Sequence, residues 1–108
     1  MIISIEDFQK LDIRIGTITQ AERLEDSKKL LKLTVDFGDE SRTILAGIGK
    51  TIEDPATLVG EQAPFLTNLE PKELAGVTSQ GMMLCASNED APVMLTPVTK
   101  VEPGGKIS

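Results

Sequence analysis

The sequence predicts a mainly β fold: a five-stranded barrel with a small helix between strands three and four, followed by a C-terminal extension. Three observations carry that expectation. Short segments alternate apolar and polar residues, as in Leu31-Lys32-Leu33-Thr34-Val35-Asp36-Phe37, which is the period of a half-buried strand. Glycine, proline and acidic turn residues punctuate these segments. The strongest interior helix-start signal, Asp54-Pro55, falls after the third strand. A length of 108 residues supports one domain, residues 1–108, with a single core.

The elements follow in order. Ser4 and Asp7, with apolar Ile5 and Phe8, read as a capped helical turn over residues 4–10. In Leu11-Asp12-Ile13-Arg14-Ile15 the apolar residues share one face. Gly16 then marks a sharp bend, and the apolar phase shifts to Ile18. Leu30–Phe37 is the second strand, Gly38–Ser41 a hairpin connection and Arg42–Ala46 the returning strand. Ile48–Val59 holds the small helix and stops at Gly60. Gln62–Leu69 and Met82–Ser87 are strands four and five, and Pro92–Leu95 is a short additional strand. The polar tail Val98–Ser108 turns at Pro103-Gly104-Gly105. This order fits the OB-fold barrel. Strand spacing alone leaves a small sandwich open; the helix position favours the barrel. Phe8, Phe37 and Phe65 fall on apolar faces and are assigned to the core.

Composition excludes several classes of function. Hydrophobic residues make up 40% and charged residues 26%, the balance of an ordinary globular chain. The longest uncharged stretch, Leu74–Asn88, is broken by Gly76 and Gly81 and is too polar to span a membrane. The N-terminus lacks the basic start and long apolar block of a signal peptide. A lone Cys85 forms no internal disulfide, and a cytoplasmic location is expected. With no histidine there is neither the commonest metal ligand nor the commonest general base. Cys85, inside the apolar run Met82–Ala86, reads as a strand residue. No catalysis, cofactor or metal is expected. Gly47-Ile48-Gly49-Lys50-Thr51 resembles the end of a phosphate-binding loop, but Ile44 stands where that motif needs glycine. The acidic pairs Glu25/Asp26, Asp39/Glu40 and Glu89/Asp90 read as solvated turns.

Net charge is −6, against the trend of general nucleic-acid binders. Its distribution is uneven. Residues 9–50 carry eight basic and seven acidic side chains, whereas residues 51–108 carry three and eight. Any cationic surface is local and comes mainly from the first half. Trp and Tyr are absent. Proteins that grip unstructured single strands stack bases on aromatic side chains. A nucleic-acid ligand here is therefore expected to be a folded one, read by shape and backbone.

Several ordered blocks resemble one known family. Asn68-Leu69-Glu70-Pro71-Lys72 followed by Gly76-Val77-Thr78-Ser79-Gln80-Gly81-Met82 is similar to the signature loop of EMAP II-type tRNA-binding domains. Leu11–Gly16 resembles that family's first strand, Ser27–Gly38 its second, and Ala46-Gly47-Ile48 the corner after its third. The resemblance implies an OB-fold whose extension, about residues 88–108, builds a homodimer that presents two barrels to the outer elbow of tRNA. It implies a non-enzyme, either free-standing or the beta subunit or C-terminal domain of methionyl-tRNA synthetase. Met1 and the length favour the free-standing form. Carried across position by position, it points to Arg14, Lys28, Lys29, Lys32 and Arg42 as phosphate partners. Asn68, Lys72, Ser79 and Met82 would approach the RNA through the signature loop. Glu73 stands where the family usually has a cation. Two other readings accompany this one. An export-related chaperone of the same family would bind unfolded polypeptide in a groove lined by Met82, Met83 and Met94. A docking module would only join a larger enzyme.

Overall fold

The apolar alternation organises a nearly closed antiparallel barrel in the computed structural model, which describes residues 1–108. The strands are β1 (Ile13–Arg23), β2 (Leu31–Asp36), β3 (Ser41–Ala46), β4 (Gln62–Leu66), β5 (Lys72–Leu74), β6 (Val77–Ser79), β7 (Met82–Met83), β8 (Cys85–Ala86) and β9 (Val93–Met94). The main sheet has five strands in the order β3-β2-β1-β4-β7, while β5-β6 and β8-β9 are separate hairpins. The chain has the OB-fold that the sequence predicts.

Backbone and side-chain bonds from residues 79 and 80 complete the closure that strands alone leave open. Gln80 N–H donates to the Thr43 carbonyl at 2.8 Å. Thr43 N–H donates to Gln80 Oε1 at 3.2 Å, and Leu45 N–H to Ser79 Oγ at 3.0 Å. The free edge of β3 is thus satisfied by the end of the signature loop, as barrels must satisfy their edges.

Ile18, Leu31, Leu33, Val35, Ile44, Ile48, Ala63 and Phe65 form the fully buried centre of the core. Phe37 meets Phe65 edge to face, with ring centroids 5.6 Å apart. Gly16 is required by close approach: a Cβ there would lie 2.3 Å from Val35 Cγ1 and 2.8 Å from Phe37 Cε1. The phase change in β1 is a bulge, where the register against β2 shifts between Ile18 and Gln20.

At the N-terminus, α1 (Ile5–Gln9) is capped by Ser4, whose side chain and that of Asp7 form a reciprocal capping box. This helix buries none of its residues. Phe8 is consequently half-buried and lies outside the core, contrary to its assignment from sequence. The tail belongs to the barrel. Gly104 N–H donates to the Ile15 carbonyl, Ile15 N–H to Gly105 and Ile107 N–H to Ile13, which extends the sheet beside β1. The buried Gln62 amide clamps both backbone groups of Val101, at 2.7 and 3.0 Å.

Two expected elements take a different form. The helix between strands three and four is a pair of 3₁₀ turns, Gly49–Thr51 and Pro55–Leu58. Asp54 caps the second with Pro55 as its first residue, as predicted. Ile52 between the turns is extended. Its carbonyl and that of Gly49 accept hydrogen bonds from the Arg23 guanidinium, at 2.6 and 3.1 Å; a continuous helix would direct them along its own axis. The expected strand Met82–Ser87 changes partner at Leu84: Met82–Met83 pair with β4, and Cys85–Ala86 pair with β9.

Candidate nucleic-acid interface

The signature loop is itself a hairpin. β5 and β6 pair Lys72 with Ser79 and Leu74 with Val77, leaving Ala75-Gly76 as a two-residue turn. Both turn residues have positive φ, 53° and 78°, the backbone of a type I′ turn that matches strand twist. The hairpin projects Lys72 into solvent.

Its two ends are held to the barrel. Asn68 Oδ1 accepts from Asp12 N–H at 2.8 Å, and Asn68 Nδ2 donates to the Lys10 carbonyl at 2.7 Å. Arg42 Nη1 donates to the carbonyls of Thr67 at 2.6 Å and Gln80 at 3.2 Å, one on each side of the hairpin. Arg42 Nε pairs with Glu40 at 2.7 Å, and the guanidinium carbon lies 5.9 Å from the Phe37 ring centroid. Ser79 is buried; its hydroxyl accepts from Leu45 N–H and donates to the Gly81 carbonyl.

A second loop, residues 24–30, joins β1 to β2. Ser27 Oγ accepts from Leu30 N–H, and Asp26 adopts positive φ. Arg23 also donates to the Lys28 carbonyl at 2.8 Å, and Gly49 N–H donates to the Lys29 carbonyl at 2.7 Å. The backbone of the loop is thus fixed while the side chains of Lys28 and Lys29 remain exposed. Neither of them, nor Lys72, is in an ion pair. Lys32, half-buried on β2, lies 3.7 Å from Glu22.

The nine sequence-predicted residues separate into two groups. Lys28, Lys29 and Lys32 gather at the start of β2. Lys72, Ser79 and Met82 adjoin them across Leu30 and Leu45, on the rim and wall of an apolar groove of about 220 Å³. At the other end of β2, Arg14 and Arg42 share a small depression with Asp12, Asp39 and Glu40, with Asn68 close by through its bond to Asp12. Arg14 Nε bonds Asp12 at 3.0 Å. That bond holds the Asp12 carboxyl below its ordinary value despite opposing burial, and raises Arg14 further. Arg42 lowers Glu40 in the same way. Cations at this end are already matched by carboxylates.

Residues 13–106 match the model of a tRNA binding domain family. The chain belongs to that family. The match begins at β1, leaves out α1, and reaches Lys106 in the tail strand. The chain is 50% identical over 105 residues to the methionine–tRNA ligase of Archaeoglobus fulgidus, covering 97% of this chain and 16% of the ligase. It therefore spans about one sixth of such relatives. Among solved structures, a MetRS related protein from Pyrococcus horikoshii superposes with a TM-score of 0.91 at 37% identity, covering 100% of this chain and 99% of that one. Chaperone CsaA from Bacillus anthracis gives 0.91 at 34%, with both chains covered completely.

In this tRNA-binding domain Cys85 is half-buried, and burial pushes its thiol pKa up, away from nucleophile character. No three His, Cys, Asp or Glu residues are grouped to hold a metal ion. No helix is long and apolar enough to cross a membrane. The sequence reading missed Arg23 and Gln80, which fix the two loops. Nothing local separates Arg23 from a surface arginine; Gln80 could have been suspected from its place between Ser79 and Gly81.

Proposed function

We propose that this domain is a non-catalytic module that grips folded tRNA by shape and backbone. Lys28, Lys29 and Lys72 meet phosphates, Lys32 stands beside them in its pair with Glu22, and Met82 lies against the RNA beside Lys72. Arg14, Arg42, Asn68 and Ser79 hold the frame from which these residues project. The observation that carries this reading is the pair of fixed loops whose exposed lysines, free of ion pairs, flank a sheet face without aromatic residues. Phe37 and Phe65 are both buried. Such a face has nothing on which to stack unstructured bases, whereas phosphate contacts suit a folded RNA.

A homodimer belongs to the same proposal. Met1, Ile2, Ile5 and Val98 are highly exposed, with Leu95 and Val101 less so. Apolar residues so concentrated in the terminal segments fit coverage by a second copy. The domain serves in the cytoplasm, free-standing or as part of a methionyl-tRNA synthetase. The likeness to a MetRS related protein fits either form, and the ligase relatives support the second.

Charge neutralisation tests the tRNA reading. Each phosphate contact contributes about 0.7–0.9 to the slope of log affinity against log salt. Lys28→Gln with Lys29→Gln should weaken tRNA binding and reduce that slope by roughly 1.5, with Lys72→Gln removing roughly one contact more. Unchanged affinity and slope in both variants would overturn the assignment. Sedimentation velocity should show a dimer.

The similarity to a chaperone gives a second reading its specific support. The groove of Leu30, Leu45, Leu69, Leu74 and Met82 would then take apolar side chains of an unfolded polypeptide. Met83 is buried and Met94 packs against the core, so only Met82 of the three methionines considered from sequence faces this groove. That reading predicts salt-insensitive suppression of aggregation and no affinity for tRNA.

A further inference from the structure

We infer that the outer face of β1, β2 and β3 reads ribose 2′-hydroxyls in the minor groove of an A-form RNA helix. This inference rests on the tRNA-binding reading above and names the part of the RNA that the sheet meets. The face has a distinct chemistry. Gln20, Lys32, Thr34 and Thr43 line an open polar cleft of about 320 Å³ together with Glu22. Lys32 and Glu22 cancel in charge, so the remaining polar groups are neutral hydroxyls and amides.

Register places these groups in a row. Gln20 lies opposite Thr34, and Thr34 opposite Thr43. Gln80 extends the row, since its side chain accepts from Thr43 N–H. The Thr34 hydroxyl reaches Gln20 Oε1 at a long 3.4 Å, which leaves it available to a better partner. A threonine hydroxyl both donates and accepts, and a glutamine amide offers both functions. A ribose 2′-hydroxyl has the same dual character. A phosphate only accepts and would favour cations, which this cleft does not supply in excess.

The border of the face agrees with that occupant. Lys28 and Lys29 stand beyond the Arg23–Leu31 pair at one edge of the face. Lys72, on β5 beside β6, stands on the same side, since it shares a groove with Leu30 at the end of that loop and Ser79 of β6 bonds β3 at Leu45. A neutral hydrogen-bonding strip with exposed lysines along one side complements a groove that runs beside a phosphate backbone. The A-form minor groove is wide, shallow and lined by 2′-hydroxyls, so the outer face of the barrel can seat against it.

The test compares two tRNA transcripts of one sequence, one with native ribose and one with 2′-fluoro pyrimidines, which keep A-form geometry but lack the hydroxyl donor. Filter binding of the parent protein should favour the native transcript by roughly tenfold, since each neutral hydrogen bond is worth about two- to tenfold. Thr34→Val with Thr43→Val keeps side-chain size and strand propensity. That variant should bind both transcripts alike, with the salt slope of the parent. Gln20→Met, from the same cleft, should lose part of the preference and guards against misfolding of the double variant. Equal binding of the two transcripts by the parent, or a preference retained in the folded double variant, would overturn the inference while leaving tRNA binding intact. No binding of either transcript by the parent would overturn the tRNA reading and this inference together.

Discussion

Replacing Arg42 with methionine separates a residue that holds the signature loop from one that touches RNA. Methionine keeps an apolar stem near Phe37 but loses every polar contact. The guanidinium makes two hydrogen bonds to carbonyls, Thr67 at 2.6 Å and Gln80 at 3.2 Å. Hydrogen bonds from a charged donor contribute about 1.5–3 kcal/mol each. The second is long, and an exposed carbonyl can recover water, so the pair is discounted to about 2–3 kcal/mol. Glu40 is half exposed, so solvent screens its pair with Arg42, which adds little to this. The total is about 2–3 kcal/mol, which in a domain of this size lowers Tm by about 8–12 °C. Thermal unfolding followed by circular dichroism measures it. Arg42→Lys should recover only part, because an ammonium cannot span both carbonyls and Glu40. Affinity for tRNA should fall as the hairpin loosens, while the salt slope stays that of the parent, since Lys28, Lys29 and Lys32 sit at the other end of β2. An unchanged Tm with a slope reduced by about one contact would refute the reasoning and make Arg42 a phosphate partner.

Ala75→Asn should stabilise the domain by about 0.5–1 kcal/mol, because asparagine tolerates the positive φ of a type I′ turn better than alanine; a lowered Tm would contradict that turn. Gly104→Ala should destabilise by about 1–3 kcal/mol, since a Cβ at φ +92° would lie 2.2 Å from the Phe37 carbonyl. Faster amide exchange at Ile15 and Ile107 would show the tail leaving β1. Acid should weaken the fold through Asp12 and Glu40, whose carboxyls titrate lower in the native state than when unfolded. Their contribution is complete above the unfolded carboxylate value of about 4 and is lost as pH falls through the native values. With no histidine, Tm should be flat from about pH 8 to about pH 6 and fall below about pH 4; a decline between pH 8 and 6 would contradict this.

The strands were legible because burial alternates with the pleat: Leu31, Leu33, Val35 and Phe37 are all buried, as their spacing requires. Ser4 with Asp7, and Asp54 with Pro55, announced their turns through local chemistry that tertiary structure kept. The hairpin inside the signature loop was not legible, since alanine is a poor marker for positive φ and strands of three residues leave little alternation. The small helix of residues 48–59 takes the form of two 3₁₀ turns for a long-range reason, the bonds of Arg23 to the carbonyls of Gly49 and Ile52. The same limit governs the candidate site. Sequence shows which residues carry charge, but only the fold shows that Arg14 and Arg42 face Asp12 and Glu40, while Lys28, Lys29 and Lys72 face solvent.

Recognition of folded tRNA is tested most directly by a filter-binding titration of the purified protein with bulk tRNA at two salt concentrations, with single-stranded RNA of equal length as competitor. Binding that weakens steeply with salt, and that the single strand does not displace, is the predicted result. Absence of binding at low salt, or displacement by the single strand, would contradict recognition of folded tRNA.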